Sequence, residues 1–188
     1  FHRNLGLTTL QKAMLQMAVS ALFLYAMYRS GFMDTHLYIP FANVSFQLHP
    51  IVYIFFAMFV MVGTDNAVNL TDGVDGLCAS ITLPVMIFFT AAAAAMGKYD
   101  LALLPAALSG GLVAYLFYNW HPAKVFMGDT GSLFLGGVVC AMAFALEMPL
   151  ILILIGFVYV CEAMSDILQV SYCLLYTSPS PRDRSVSR

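Results

Sequence analysis

The chain has 188 residues, 61% of them hydrophobic and only 10% charged, with a mean hydropathy of +0.85. Soluble domains carry about 25% charged residues, so this composition places the chain in the membrane class and excludes an ordinary water-soluble core. A net charge of −2 offers no electrostatic footprint for nucleic acid.

The first residues, Phe1-His-Arg-Asn4, include no Met and form no signal-peptide pattern, so the chain reads as an internal fragment. A bilayer-spanning helix needs about 20 mostly apolar residues. Six stretches meet that requirement, at roughly 11–29, 50–67, 78–96, 101–118, 132–147 and 149–172. Backbone polar groups in lipid must be paired within the segment, so all six are expected to be helices. The expected fold class is therefore all-α, a polytopic membrane helical bundle with about six transmembrane helices over residues 1–173. Residues 30–48 break this pattern with Gly31, Pro40 and an alternating Leu37-Tyr-Ile run, which predicts a small hairpin outside the membrane. Residues 174–188 turn polar and rich in Pro and Ser, which predicts a disordered and non-native tail. The cysteines Cys78, Cys140, Cys161 and Cys173 form no CxxC pair and read as small hydrophobes.

Counting crossings puts two polar islands on one face. They are Asn66-Ala-Val-Asn-Leu-Thr-Asp-Gly-Val-Asp-Gly-Leu77 and Asn119-Trp-His-Pro-Ala-Lys-Val-Phe-Met-Gly-Asp-Thr-Gly-Ser-Leu133. Lys12 and the segment near Gln169 fall on the same face. Residues 30–48, Gly97–Asp100 and Glu147 fall on the other. Arg3, Lys12 and Lys124 against Arg29 and Lys98 make the island face the cytoplasmic one.

Each island sets carboxylates beside glycines at the end of a span. Asp72 and Asp75 are three apart and would share a face on a helical turn, while Gly73 and Gly76 let backbone approach closely. Asn66 and Asn69 repeat the spacing with amides that both donate and accept. Asp129 precedes a span, where the helix dipole favours phosphate and a hard carboxylate oxygen suits Mg²⁺. Helix capping explains either island alone. It explains less well two islands on one face, and membrane-edge carboxylates are functional candidates. His121 and Lys124 read equally as solvated loop residues.

These residues resemble the polyprenyl-phosphate N-acetylhexosamine-1-phosphate transferase superfamily, and within it the bacterial phospho-N-acetylmuramoyl-pentapeptide transferases. Tyr118-Asn119, His121-Pro-Ala-Lys-Val-Phe-Met-Gly-Asp-Thr-Gly-Ser-Leu133 and Glu162-Ala-Met-Ser-Asp-Ile-Leu-Gln-Val170 add to the likeness, which covers about residues 3–173. The resemblance implies a ten-helix enzyme of the bacterial inner membrane with a cytoplasmic site. That enzyme moves phospho-MurNAc-pentapeptide from its UDP carrier to undecaprenyl phosphate, forming lipid I and UMP with Mg²⁺. Carried over by motif, Asp129 binds the metal and Asp72, Asp75 and Asp129 are catalytic. Phe126 stacks on uracil, and Asn66, Asn69, Asn119 and Gln169 bind the nucleotide side. A homodimer remains open.

The pattern also departs from the family. Its Asp-Asp pair would precede residue 1, and its His-rich loop and last helix would follow residue 173, so these residues alone are expected to be inactive. Asp65 stands where the family carries a small polar residue, and Asp166 where it carries an apolar one. A UDP-GlcNAc:undecaprenyl-phosphate transferase is the alternative within the superfamily. A transporter with an acidic path and a non-catalytic scaffold are the alternatives outside it.

Overall fold

The structure, a computed structural model, describes residues 8–33, 35–39 and 44–173; the predicted tail at 174–188 lies outside them. Helix α1 (Thr9–Arg29) begins at a capping box. Thr8 Oγ1 accepts the backbone N–H of Gln11 at 3.3 Å, and the Gln11 side chain accepts the N–H of Thr8 at 3.0 Å. Two orphan donors of the first turn are thus satisfied reciprocally. The expected hairpin follows, with β1 (His36–Ile39) antiparallel to β2 (Val44–Gln47) and Leu37 opposite Phe46.

Helix α2 (Pro50–Thr71) starts with Pro50, whose missing N–H costs nothing at the first helical position. It runs beyond the expected 50–67, so Asn66 and Asn69 sit on its last turns. Helices α3 (Leu77–Ala95), α4 (Tyr99–Asn119) and α5 (Gly128–Ala145) follow the predicted spans closely. With α1 and α2 they make five helices long and apolar enough to cross a membrane. Pro84 and Pro105 lie inside α3 and α4, as transmembrane helices tolerate.

The sixth stretch differs from expectation. A 3₁₀ turn (Pro149–Ile151) leads into the single-turn α6 (Leu152–Ile155), and α7 (Phe157–Cys173) departs at 72°. The break falls at Gly156, whose N–H bonds the Leu152 carbonyl at 2.8 Å. A broken span or a re-entrant segment satisfies the same apolar run, so the crossing count that carried Gln169 to the island face stops at α5.

Packing is densest between α3 and α4 and between α2 and α5, with α7 and α1 laid against α2. The core runs through Ala57, Val68, Met86, Phe89, Val139 and Ala143. The close approach of α2 and α5 depends on Gly136, where an added Cβ would lie 2.8 Å from Asp65 Cα. Small residues at such crossings let helix backbones meet in lipid. Lys98 Nζ pairs with Glu147 Oε1 at 3.2 Å, so the start of α4 and the end of α5 share one end of the bundle. The 3₁₀ turn touches β1, placing the hairpin there too. The islands occupy the opposite end.

Candidate active site

The end of α2, the 72–76 turn and the 120–127 loop converge with the start of α5. The first island is not a continuous helix. Asp72 caps α2, and its N–H bonds the Asn69 carbonyl at 3.3 Å. Gly76 takes φ +74° to start α3, a conformation suited to glycine. The Asp72 and Asp75 carboxylates therefore share a turn instead of a helical face.

Asp75 reaches into the second island. Its Oδ2 accepts the backbone N–H of Ala123 at 3.1 Å and lies 3.1 Å from His121 Nδ1. The His121–Pro122 peptide between these partners is cis. Asn119 is buried and ties the islands together through both ends of its amide. Its Oδ1 accepts Gly76 N–H at 2.9 Å, and its Nδ2 donates to the Val125 carbonyl at 2.8 Å. Lys124 N–H bonds the Tyr118 carbonyl at 2.8 Å and closes the loop. Phe126 stands on this loop with 72% of its surface exposed.

Asn69 is the centre of a second cluster. Its Oδ1 accepts from Lys12 Nζ at 2.7 Å, and its Nδ2 donates to Ser132 Oγ at 2.7 Å and to Asp129 Oδ1 at 3.3 Å. Lys12 Nζ lies 3.4 Å from Asp129 Oδ2. Asp129 sits in the first turn of α5, where the helix dipole favours negative charge; Met127, not Asp129, is the N-cap. Its carboxylate is 77% exposed against 22% for the Lys12 side chain. Lysine thus approaches from within the protein and the carboxylate faces outward.

Of the residues singled out in the sequence, the fold joins Asn69 to Asp129, Asn119 to the Asp72–Gly76 turn, and Asp75 to the loop that carries Phe126. Asn66 turns the other way, to Gln16 on α1 and to the Val62 carbonyl. Gln169 is exposed on α7 and donates to Ser165 Oγ at 2.9 Å, within its own helix and away from both islands. Lys12 and Ser132 are the site members that spacing did not single out as ligands. A lone lysine in an apolar helix on the acidic face was the available signal for Lys12. Ser132 carried none beyond its place in Gly-Asp-x-Gly-Ser.

Among the described residues, no three His, Cys, Asp or Glu side chains gather into a closed metal cage. Mg²⁺ does not require one, because it uses one or two carboxylates and keeps waters and substrate phosphates as its other ligands. The outward Asp129 carboxylate at a helix N-terminus fits that mode.

The profile of the glycosyl transferase family 4 matches residues 4–147. A phospho-N-acetylmuramoyl-pentapeptide-transferase of Clostridium acetobutylicum is 46% identical over 170 residues, covering 90% of this chain and 53% of the relative. Its counterpart in Clostridium perfringens strain 13 is 47% identical over 171 residues, covering 90% and 52%. One from Thermoanaerobacter sp. is 44% identical over 170 residues, covering 90% and 53%. The chain thus spans about half the length of these curated relatives.

Proposed function

The chain belongs to glycosyl transferase family 4, and from that premise we propose that it forms the island-bearing half of a phospho-N-acetylmuramoyl-pentapeptide transferase. The observation that carries this reading is the Lys12–Asn69–Asp129–Ser132 cluster at the membrane edge. One cation, one carboxylate and a helix N-terminus meet there, which supports a site for the phosphates of a lipid acceptor and a nucleotide donor.

In the proposed reaction an oxygen of undecaprenyl phosphate attacks the sugar-bearing phosphorus of UDP-MurNAc-pentapeptide. The new P–O bond forms as the bond to UMP breaks, giving lipid I. Such transfers require in-line placement and neutralised charge more than covalent help. Asp129 would hold Mg²⁺, which supplies charge neutralisation on the diphosphate. Lys12 approaches from the protein side and would meet a phosphate oxygen as a point charge. Asn69 orients both groups. Asp72, at the end of α2, would line the same pocket, and Asp75 holds the loop that would offer Phe126 to the uracil ring. Asn119 keeps the two islands in register. Asn66 supports the site from α2 by holding Gln16 of α1, and Gln169 would close the nucleotide side only with α7 folded toward the islands. The site would face the cytoplasm across the inner membrane, where UDP-linked donors are available.

The test is UMP release by the full-length protein carrying this chain, reconstituted with undecaprenyl phosphate and Mg²⁺. UDP-MurNAc-pentapeptide should support turnover and UDP-GlcNAc should not, and Asp129→Asn should abolish it. Turnover that survives Asp129→Asn, or that prefers UDP-GlcNAc, would overturn the reading.

A further inference from the structure

Gln16 lies one helical turn beyond Lys12 on α1, so both side chains emerge on one face. Asp65, Asn66 and Asn69 occupy the facing turns of α2. Gln16 Nε2 donates to Asp65 Oδ2 at 2.6 Å and to Asn66 Oδ1 at 3.2 Å, and Gln16 Oε1 accepts from Asn66 Nδ2 at 3.1 Å. Both amide protons and the amide oxygen of Gln16 are thereby used.

The Asp65 carboxylate depends on this contact. Its other oxygen, Oδ1, is buried with no hydrogen-bond partner among the described residues, and it lies 2.9 Å from where a Cβ on residue 136 would stand. It is wedged against Gly136 of α5 while Oδ2 reaches α1. A carboxylate in a span with one donor holds that donor tightly, because losing it leaves charge unpaired in lipid.

Ser20 and Leu24 bury the C-terminal half of α1 in the core, but the half that carries Lys12 and Gln16 is weakly constrained. Leu10, Met14, Leu15, Met17, Val19 and Leu22 are all exposed, and these apolar side chains rest as well on lipid as on protein. Interhelical polar bonds are what specify rotation and height in such a setting. We propose that Gln16, through Asp65 and Asn66, is a positioning residue that sets the rotation of α1 and so seats Lys12 on Asn69 and Asp129. This rests on the reading of Lys12 as a phosphate-binding group. Asp65 is the anchor of that seat.

The experiment uses the full-length protein in nanodiscs, with Cys161 and Cys173 replaced by serine and spin labels at the exposed positions Leu10 and Ser80. The wild-type distance distribution is expected to be narrow. Gln16→Leu should broaden or shift it and lower kcat at least 10-fold with less than a 3-fold change in donor KM. The exchange Gln16→Glu with Asp65→Asn reverses the carboxylate–amide pair between α1 and α2, and it should restore the distribution and most of the kcat. If Gln16→Leu fails to insert, Gln16→Asn, one methylene shorter, is read by the same distances. An unchanged distribution in the single variant overturns the proposal, as does a shifted one with full kcat. Failure of the exchange to restore either readout also overturns it. If Lys12→Met itself stays active, the transferase reading of Lys12 fails instead, while the distances still judge what Gln16 does.

Discussion

The side-chain oxygen of Asn119 accepts the backbone N–H of Gly76 at 2.9 Å, across 43 positions of sequence. The same amide holds the Val125 carbonyl, so one buried residue at the end of α4 shapes both islands. Replacing Asn119 by Leu strands the buried N–H of Gly76, at a cost of about 1–3 kcal/mol, and takes one of two donors from the Val125 carbonyl, which keeps Tyr115 Oη at 3.4 Å. We expect a lower melting temperature in detergent and a loss of turnover in the full-length protein. Asn119→Asp keeps the acceptor for Gly76 and should recover part of the stability. Thermal unfolding of the three proteins checks the order.

Gly136 answers to geometry alone. A Cβ there would meet Asp65 Cα at 2.8 Å and its carbonyl oxygen at 3.1 Å, and neither backbone atom can yield cheaply. Gly136→Ala should force α5 from α2 and destabilise the protein by about 1–3 kcal/mol, the usual range for overpacking. Gly137, with open space around its Cβ position, should accept alanine without measurable change. A thermal shift comparison of the two variants separates crowding from any general intolerance in the helix.

Lys12 faces a carboxylate and an amide oxygen from the protein side of the cluster. If it meets phosphate in the reaction, Lys12→Met should reduce kcat by about 10²-fold or more, the scale seen when one stabilising donor is removed. Lys12→Arg retains the charge but changes the reach and donor geometry, and should fall between the two. The melting temperature should move little, since an ion pair with one partner 77% exposed contributes weakly. Initial rates beside thermal shifts decide this.

Chelation offers a separate check. With Asp129 the outward carboxylate and no closed cage among the described residues, the metal should exchange freely. EDTA should stop UMP release within mixing time, and excess Mg²⁺ should restore it fully. Slow inactivation, or inactivation that Mg²⁺ fails to reverse, would argue for a structural ion.

The spans were legible because lipid imposes both length and composition on a helix. Five runs from Leu10 to Ala145 became five long helices, and the alternation at Leu37-Tyr38-Ile39 became a strand. The sixth run was apolar enough, but hydropathy counts side chains and does not register backbone direction, so the 72° turn at Gly156 went unmarked. The meeting of the two islands was legible from crossing parity, since Asp72, Asp75, Asn119 and Asp129 all flank spans. Lys12 was legible only as a cation on the island face, and Gln16 was not legible as a member of the assembly. Contacts across 57 and 49 positions leave no local period to read. Asn66 and Asn119 show a further limit, because an amide that serves a neighbouring helix or loop looks the same in sequence as one that serves a ligand.

The contact between Gln16 and Asp65 joins helices that are neighbours in order of synthesis. It can therefore form as soon as α2 leaves the ribosome, whereas the Asn69 bonds to Asp129 and Ser132 must wait for α5. Two helices already joined through Oδ2 of this carboxylate give α5 a preformed surface to dock on during membrane insertion.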